Sequence, residues 1–195
     1  MIELVDLRYV HLGASNANDA SKWAQEIYGL EEVSRENGRI YLRGDDRDHN
    51  ICYFDGDPKD NTVGIEVADY NALDQAASHL ESNGVEITWG DDEGAAVRRC
   101  MKYLSFSDPT GNKFDLVVRP FDSGRRYFPS RDAGVHWFNH IGLKTTNAPR
   151  DENFWCTLFN FQANDWIGDA PLMSFDKVHH RFALLPTNEA GEQHI

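Results

Sequence analysis

The sequence predicts an α+β protein of tandem βαβββ modules, the last of which is incomplete. Three observations carry that expectation. The stretch "YVHLGASN" (9–16) lies over "FNHIGLKT" (138–145), each with a histidine followed by an apolar residue and then a glycine. A tryptophan-bearing helical pattern follows each stretch. A second histidine stretch then recurs, "RDHNICYF" (47–54) over "VHHRFALL" (178–185), so that His49 lies 38 residues after His11 and His180 lies 40 after His140. Matching registers at matching spacings mark a duplicated supersecondary unit.

The elements follow in order. "YVHLGASN" reads as a strand. In "NDASKWAQEIYGLEE", Asn18 or Asp19 serves as cap, Trp23, Ile27 and Leu30 share one face, and Gly29 is the stop, which places Trp23 in the core. "RDHNICYF" and "TVGIEVAD" are strands, "YNALDQAASHLESNG" is a helix closed by Gly84, and "VEITW" is a strand. "KYLSFSDPTGNKFDLVV" is a hairpin: Tyr103 to Phe106, a turn over Asp108, Pro109, Gly111 and Asn112, then Phe114 to Val118.

In the second copy, "RDENFWCTLFNFQ" is a helix capped by Asp151 with Phe154, Trp155, Leu158 and Phe159 as its apolar stripe. A strand starting in "DKVHHRFALLP" sends Val178 and His180 to one face and His179 to the other. Residues 1–120 thus form a unit of two modules, and the polar, Arg- and Pro-containing stretch 121–134 is a linker. Residues 135–195 begin a second unit, with "GEQHI" reaching only the opening of the strand that matches "TVGIEV".

Composition sets the outer limits. With 41% hydrophobic and 26% charged residues the chain has material for a packed core. A net charge of −13 excludes nucleic acid and anionic membrane as partners, since both would be repelled. Cys52, Cys100 and Cys156 are odd in number and lack CxxC spacing, which predicts reduced thiols and a cytoplasmic protein. The start "MIELVDLRYV" lacks the basic end and apolar run of a signal peptide, and no stretch is long and apolar enough for a membrane span.

The paired βαβββ halves, the "SDPTGNKFDL" hairpin, the "NHIGL" histidine and the double histidine before "RFAL" together resemble the vicinal oxygen chelate (glyoxalase/bleomycin-resistance) superfamily. Within it, they resemble the type I extradiol ring-cleavage dioxygenases of aromatic catabolism, over nearly the whole chain. The resemblance implies Fe(II) held by His140 and His180, with a glutamate as third ligand. Asp115 lies 66 residues after His49, and the same interval from His180 passes Ile195, so the third ligand is expected beyond Ile195 and the chain is expected to lack its C-terminal part. Two imidazoles and one carboxylate on one face of iron leave room for a catechol and O₂ side by side, the arrangement for opening the ring beside the diol.

The resemblance also implies a histidine acid/base shortly before the second ligand, yet "WIGDAPLMSFDKV" contains none. His194 falls where such enzymes place a further histidine beside the metal and is the candidate catalytic residue. In the first unit His11, His49 and Asp115 occupy the triad positions; the resemblance implies that this unit is a metal-free scaffold. His79 and His136 are expected on the surface. Trp137, Phe138, Trp166 and Phe175 suit an aryl pocket, and assembly as a homo-oligomer is implied. Two other readings stay open: a glyoxalase-like metal-dependent isomerase or lyase, and a non-catalytic ligand-binding protein of the same fold.

Overall fold

A computed structural model describes residues 1–130 and 134–195, so part of the expected linker 121–134 lies outside the described residues. The chain is α+β, with β1 (Leu4–Ala14), α1 (Ala17–Tyr28), β2 (Glu31–Glu36), β3 (Arg39–Arg43) and β4 (Ile51–Asp55) as the first βαβββ set. β5 (Asn61–Val67), α2 (Tyr70–Ser82), β6 (Ile87–Trp89), α3 (Asp92–Arg98), β7 (Lys102–Ser107) and β8 (Lys113–Val118) form the second. The third comprises β9 (Ile141–Thr145), α4 (Ala148–Leu158), β10 (Gln162–Ile167), β11 (Ala170–Ser174) and β12 (Phe182–Pro186), followed by β13 (Glu192–His194).

Two compact units result: Arg8–Val63 with Phe121–Phe138, and Met1–Leu7 with Gly64–Pro120 and Asn139–Ile195. In the smaller unit the strands run β2-β3-β4-β1. Its β1 and β4 pair in parallel from Val10↔Ile51 to Ala14↔Asp55. The segment after Pro120 is held here by side chains: Arg8 pairs with Asp122, and the Asp46 carboxylate accepts the Tyr127 N–H at 2.9 Å. In the larger unit the orders are β5-β8-β7-β6 and, in a separate five-stranded sheet, β10-β11-β12-β9-β13. There β9 and β12 pair in parallel from Ile141↔Phe182 to Thr145↔Pro186, repeating the β1–β4 arrangement. The duplication read from the two histidine stretches is therefore present as the same strand pairing.

Helix termini depart from expectation. Asn16, rather than Asn18 or Asp19, caps α1, accepting the Asp19 N–H at 3.1 Å, and Gly29 ends the helix at φ 73°. The buried face of α1 is Ala17, Ser21 and Ala24, while Trp23 is 50% and Ile27 53% exposed. Small residues let the helix lie close on β3 and β4, which leaves Trp23 and Ile27 outside, with Trp23 edge-on to Tyr28, while Leu30 just past the helix is buried. Asn147 caps α4, and Pro149 stands in its first turn, where its missing N–H costs nothing. Asp151, the expected cap, is fully buried one turn in and accepts from Thr110, Thr145 and the Arg150 Nε. The polar "DEGAAVR", capped by Asp91, forms α3, a helix the hydrophobic pattern did not reveal.

The core of the larger unit is aromatic. Trp155 is wholly buried among Phe114, Phe159, Phe161 and Phe182, with ring centroids 4.6–5.3 Å away. This bears out the α4 stripe for Trp155, Leu158 and Phe159, while Phe154 is half-buried. Phe175, expected in an aryl pocket, packs edge-on against Phe161 in this core.

The β7–β8 hairpin forms as expected, and its turn is built on Asp108, whose Oδ1 accepts the N–H groups of Thr110, Gly111 and Asn112. Burial pushes the Asp108 carboxyl up to about 6 from 3.8, outweighing the hydrogen bonds from Asn112 and Gly111 that pull it down. A carboxyl with a raised folded pKa favours folding most below its unfolded value, and that contribution is lost as pH rises through about 6. Asp108→Asn should therefore gain on the parent by on the order of 2–3 kcal/mol between pH 4 and pH 7. Urea melts of both proteins at the two pH values measure this; a pH-independent difference would refute it.

Candidate metal centre

Sheet order brings the histidines together. β12, β9 and β13 are consecutive neighbours, β12 parallel to β9 and β13 antiparallel to it. His180 lies two residues ahead of β12, His140 one residue ahead of β9, and His194 at the last residue of β13. All three therefore sit at the same end of the sheet. The ring centroids of His140 and His180 are 4.6 Å apart, those of His140 and His194 5.2 Å, and the Nε2 atoms of His140 and His194 are 3.0 Å apart.

The histidine-bearing segment before β12 is not a strand, so the expected alternation does not apply there. His179 does not turn away from His180; it is exposed and its Nδ1 lies 3.0 Å from the Nδ1 of His180. The His179 carbonyl accepts from Asn164. Burial, reinforced by His180 and His194, lowers the His140 pKa to about 4, and His180 is lowered by burial and by His179 and His194. Both imidazoles are thus neutral near pH 7, the form in which a ring nitrogen can bind a metal.

The position of His194 depends on two residues whose role the sequence did not disclose. Asn112, in the β7–β8 turn, donates to the Lys144 carbonyl and accepts the Gly191 N–H at 2.7 Å, which ties β9 and the approach to β13 to one side chain. Gly142 faces His194 across the strand pair, and a Cβ there would stand 2.4 Å from the His194 ring. The glycine that recurs in "VHLGA" and "NHIGL" was the available signal; its reason appears only in the pairing. Gly142→Ala should push the His194 ring off His140 with β9 still paired. Loss of a ring-to-ring NOE between the two histidines, with amide shifts of β9 retained, is the expected result, and an unchanged NOE would count against it.

His11 and His49 are buried with Nε2 atoms 3.1 Å apart, walled by Tyr9 and Tyr41. Asp115 is fully buried and accepts from the Arg98 Nε at 2.6 Å and from Ser105, so a guanidinium supplies its counter-charge. Among the described residues no group of three or more His, Cys, Asp or Glu is arranged to hold a metal ion. His136 is exposed as expected, whereas His79 is half-buried on α2 with its Nε2 unpartnered. Trp137 and Trp166 are about half exposed, and Phe138 is buried. The three cysteines are free thiols, and no helix among the described residues is long and apolar enough to cross a membrane.

The chain has the vicinal oxygen chelate fold, and its relatives are extradiol ring-cleaving dioxygenases. It is 27% identical over 164 residues to a biphenyl-2,3-diol 1,2-dioxygenase of Sphingomonas paucimobilis, covering 80% of this chain and 55% of that protein. It is 26% identical over 166 residues to an iron-dependent extradiol dioxygenase of Rhodococcus jostii, covering 76% of this chain and 53% of that protein. A manganese-dependent 2,3-dihydroxybiphenyl 1,2-dioxygenase of Geobacillus genomosp. 3 matches at 22% over 182 residues, 85% of this chain and 56% of that one. Among solved structures, a catechol 2,3-dioxygenase superposes with a TM-score of 0.83 at 25% identity, over 96% of this chain and 73% of that one. A Mn(II)-bound glyoxalase from Novosphingobium aromaticivorans superposes at 0.85 with 20% identity, over 98% and 64%. No protein-family model matches. The chain spans about half the length of the curated relatives it matches.

Proposed function

We propose that the chain contributes to a metal-dependent extradiol dioxygenase that opens a substituted or bicyclic catechol with O₂. Residues 135–195 would start the catalytic unit and 1–120 would serve as scaffold. The observation that carries this is the gathering of His140, His180 and His194 at one end of β12-β9-β13, with two of the rings held neutral.

The donor chemistry fits a first-row divalent ion, since neutral imidazole is a preferred ligand for such metals. His140 and His180 would hold it, and a carboxylate from elsewhere in the protein would complete the set. When bound, the ion supplies a Lewis-acidic, redox-active centre for a diol and O₂. Iron(II) is the cofactor favoured here; manganese(II) is the alternative, because the relatives' names include both metals.

The remaining chemistry belongs to the chain. His180 meets His179 through Nδ1; with the His180 Nδ1 as donor, its Nε2 would be the nitrogen left to hold the metal. His194, with its Nε2 beside His140, is placed to take a proton from a diol oxygen and return it to the opened product. Homo-oligomeric assembly is part of the same reading. Anaerobic loading with Fe(II) or Mn(II), then addition of 2,3-dihydroxybiphenyl and air, tests it: one ion per chain and a yellow ring-fission product are expected from the protein. Absence of both uptake and colour with either metal would refute it.

A further inference from the structure

We propose that Arg181 is a positioning residue that sets the His140–His180 geometry, an inference that rests on the metal-centre reading above. Arg181 is 3% exposed although it immediately follows the double histidine. Its Nη1 donates at 3.0 Å to the carbonyl of Asn139, the residue before His140. Its own carbonyl accepts, also at 3.0 Å, the N–H of Ile141, the residue after His140. One residue thus grips the backbone on both sides of His140.

The same guanidinium fixes the approach to His180. Nε and Nη2 both donate to Asp176 Oδ2, at 3.1 and 2.6 Å. Asp176 Oδ1 accepts the Val178 N–H at 2.9 Å and the Ser174 hydroxyl at 3.1 Å. The Arg181 N–H donates to the Met173 carbonyl at 2.7 Å. The irregular turn from Ser174 to Arg181, with His180 near its end, is therefore closed on itself by the ion pair and docked against the His140 backbone. Burial raises the Asp176 carboxyl, but Arg181 and the hydrogen bonds from Val178 and Ser174 prevail and hold it below the usual carboxylate range.

Lysine separates the two roles of this side chain. An ammonium keeps the charge opposite Asp176 but lacks the planar fork that reaches Asp176 and the Asn139 carbonyl together. Arg181→Lys should stay folded by its amide dispersion, weaken the His140–His180 ring-proton NOE in the metal-free protein, and raise the Co(II) dissociation constant roughly 10-fold or more. Removing a buried cation alone strands its partner. A second variant, Arg181→Met with Asp176→Asn, removes the guanidinium together with its nearer carboxylate, leaving only Asp6, 3.7 Å from Nη2 and partly solvated, and should show the same losses.

An NOE and a Co(II) affinity within twofold of the parent in both variants would overturn the proposal. If the parent takes up no Co(II) while its NOE still depends on Arg181, the functional reading fails and the positioning role stands. If the parent binds Co(II) and neither variant alters binding or NOE, the positioning role fails and the functional reading stands.

Discussion

Alanine at His140 should abolish uptake of Fe(II) or Mn(II), whereas alanine at the exposed His136 should leave it unchanged. The argument is one of strand order. β9 is the middle strand of β12-β9-β13, so His140 neighbours both other histidines, and its ring is the common partner at 4.6 and 5.2 Å. Substitutions of groups that merely orient a ligand weaken metal binding roughly 10–100-fold. Removal of the ligand itself should therefore exceed 100-fold in apparent dissociation constant, read by anaerobic calorimetry. Because Ile141 keeps its backbone bond to Arg181, the sheet should survive, and the thermal midpoint should stay close to the parent's. Metal uptake by His140→Ala within tenfold of the parent would place the metal elsewhere or nowhere.

The duplication was legible because it rests on local periodicities. Strand and helix periods, two glycine stops and the Asp-Pro-Thr-Gly-Asn turn are written in neighbouring residues, and the parallel pairing of β1 with β4 and of β9 with β12 follows once the copies are aligned. His140 and His180 could be nominated by the same alignment. Less legible was everything set by partners distant in sequence. Trp23 and Trp155 occupy comparable helical patterns, yet one is half exposed and the other fully buried, because Ala17, Ser21 and Ala24 form the face α1 presents to its sheet. Asp115 matched a ligand position by register; only the fold shows Arg98 upon it. Nothing in the sequence marks Arg181 as buried, and its burial depends on Asp176 and on a carbonyl 42 residues away. Gly142 likewise acquires its reason from β13, which lies far along the chain.

Trp155→Ala should produce the largest loss of stability, about 3–5 kcal/mol, the range for deleting a large buried aromatic side chain. Trp155 is 0% exposed and touches the rings of Phe114 on β8, Phe159 and Phe161 after α4, and Phe182 on β12. Its loss would open a cavity bounded by elements that cannot all close in at once, because each is fixed by its own backbone pairing. The indole Nε1 is buried without a hydrogen-bond partner, a feature that costs about 1–3 kcal/mol by itself. Trp155→Phe deletes that N–H along with part of the ring, so the two effects oppose and the net loss should be under about 2 kcal/mol. Urea unfolding measures both variants; a Trp155→Phe loss as large as about 3 kcal/mol would mean that the indole N–H is satisfied in solution. Phe182 is the residue after Arg181, so the alanine variant should also loosen the β12–β9 frame and lower Co(II) affinity, while the phenylalanine variant preserves it. A Trp155→Ala protein with parental metal affinity would show that the Arg181 grip on His140 holds the two histidines independently of the core beneath them.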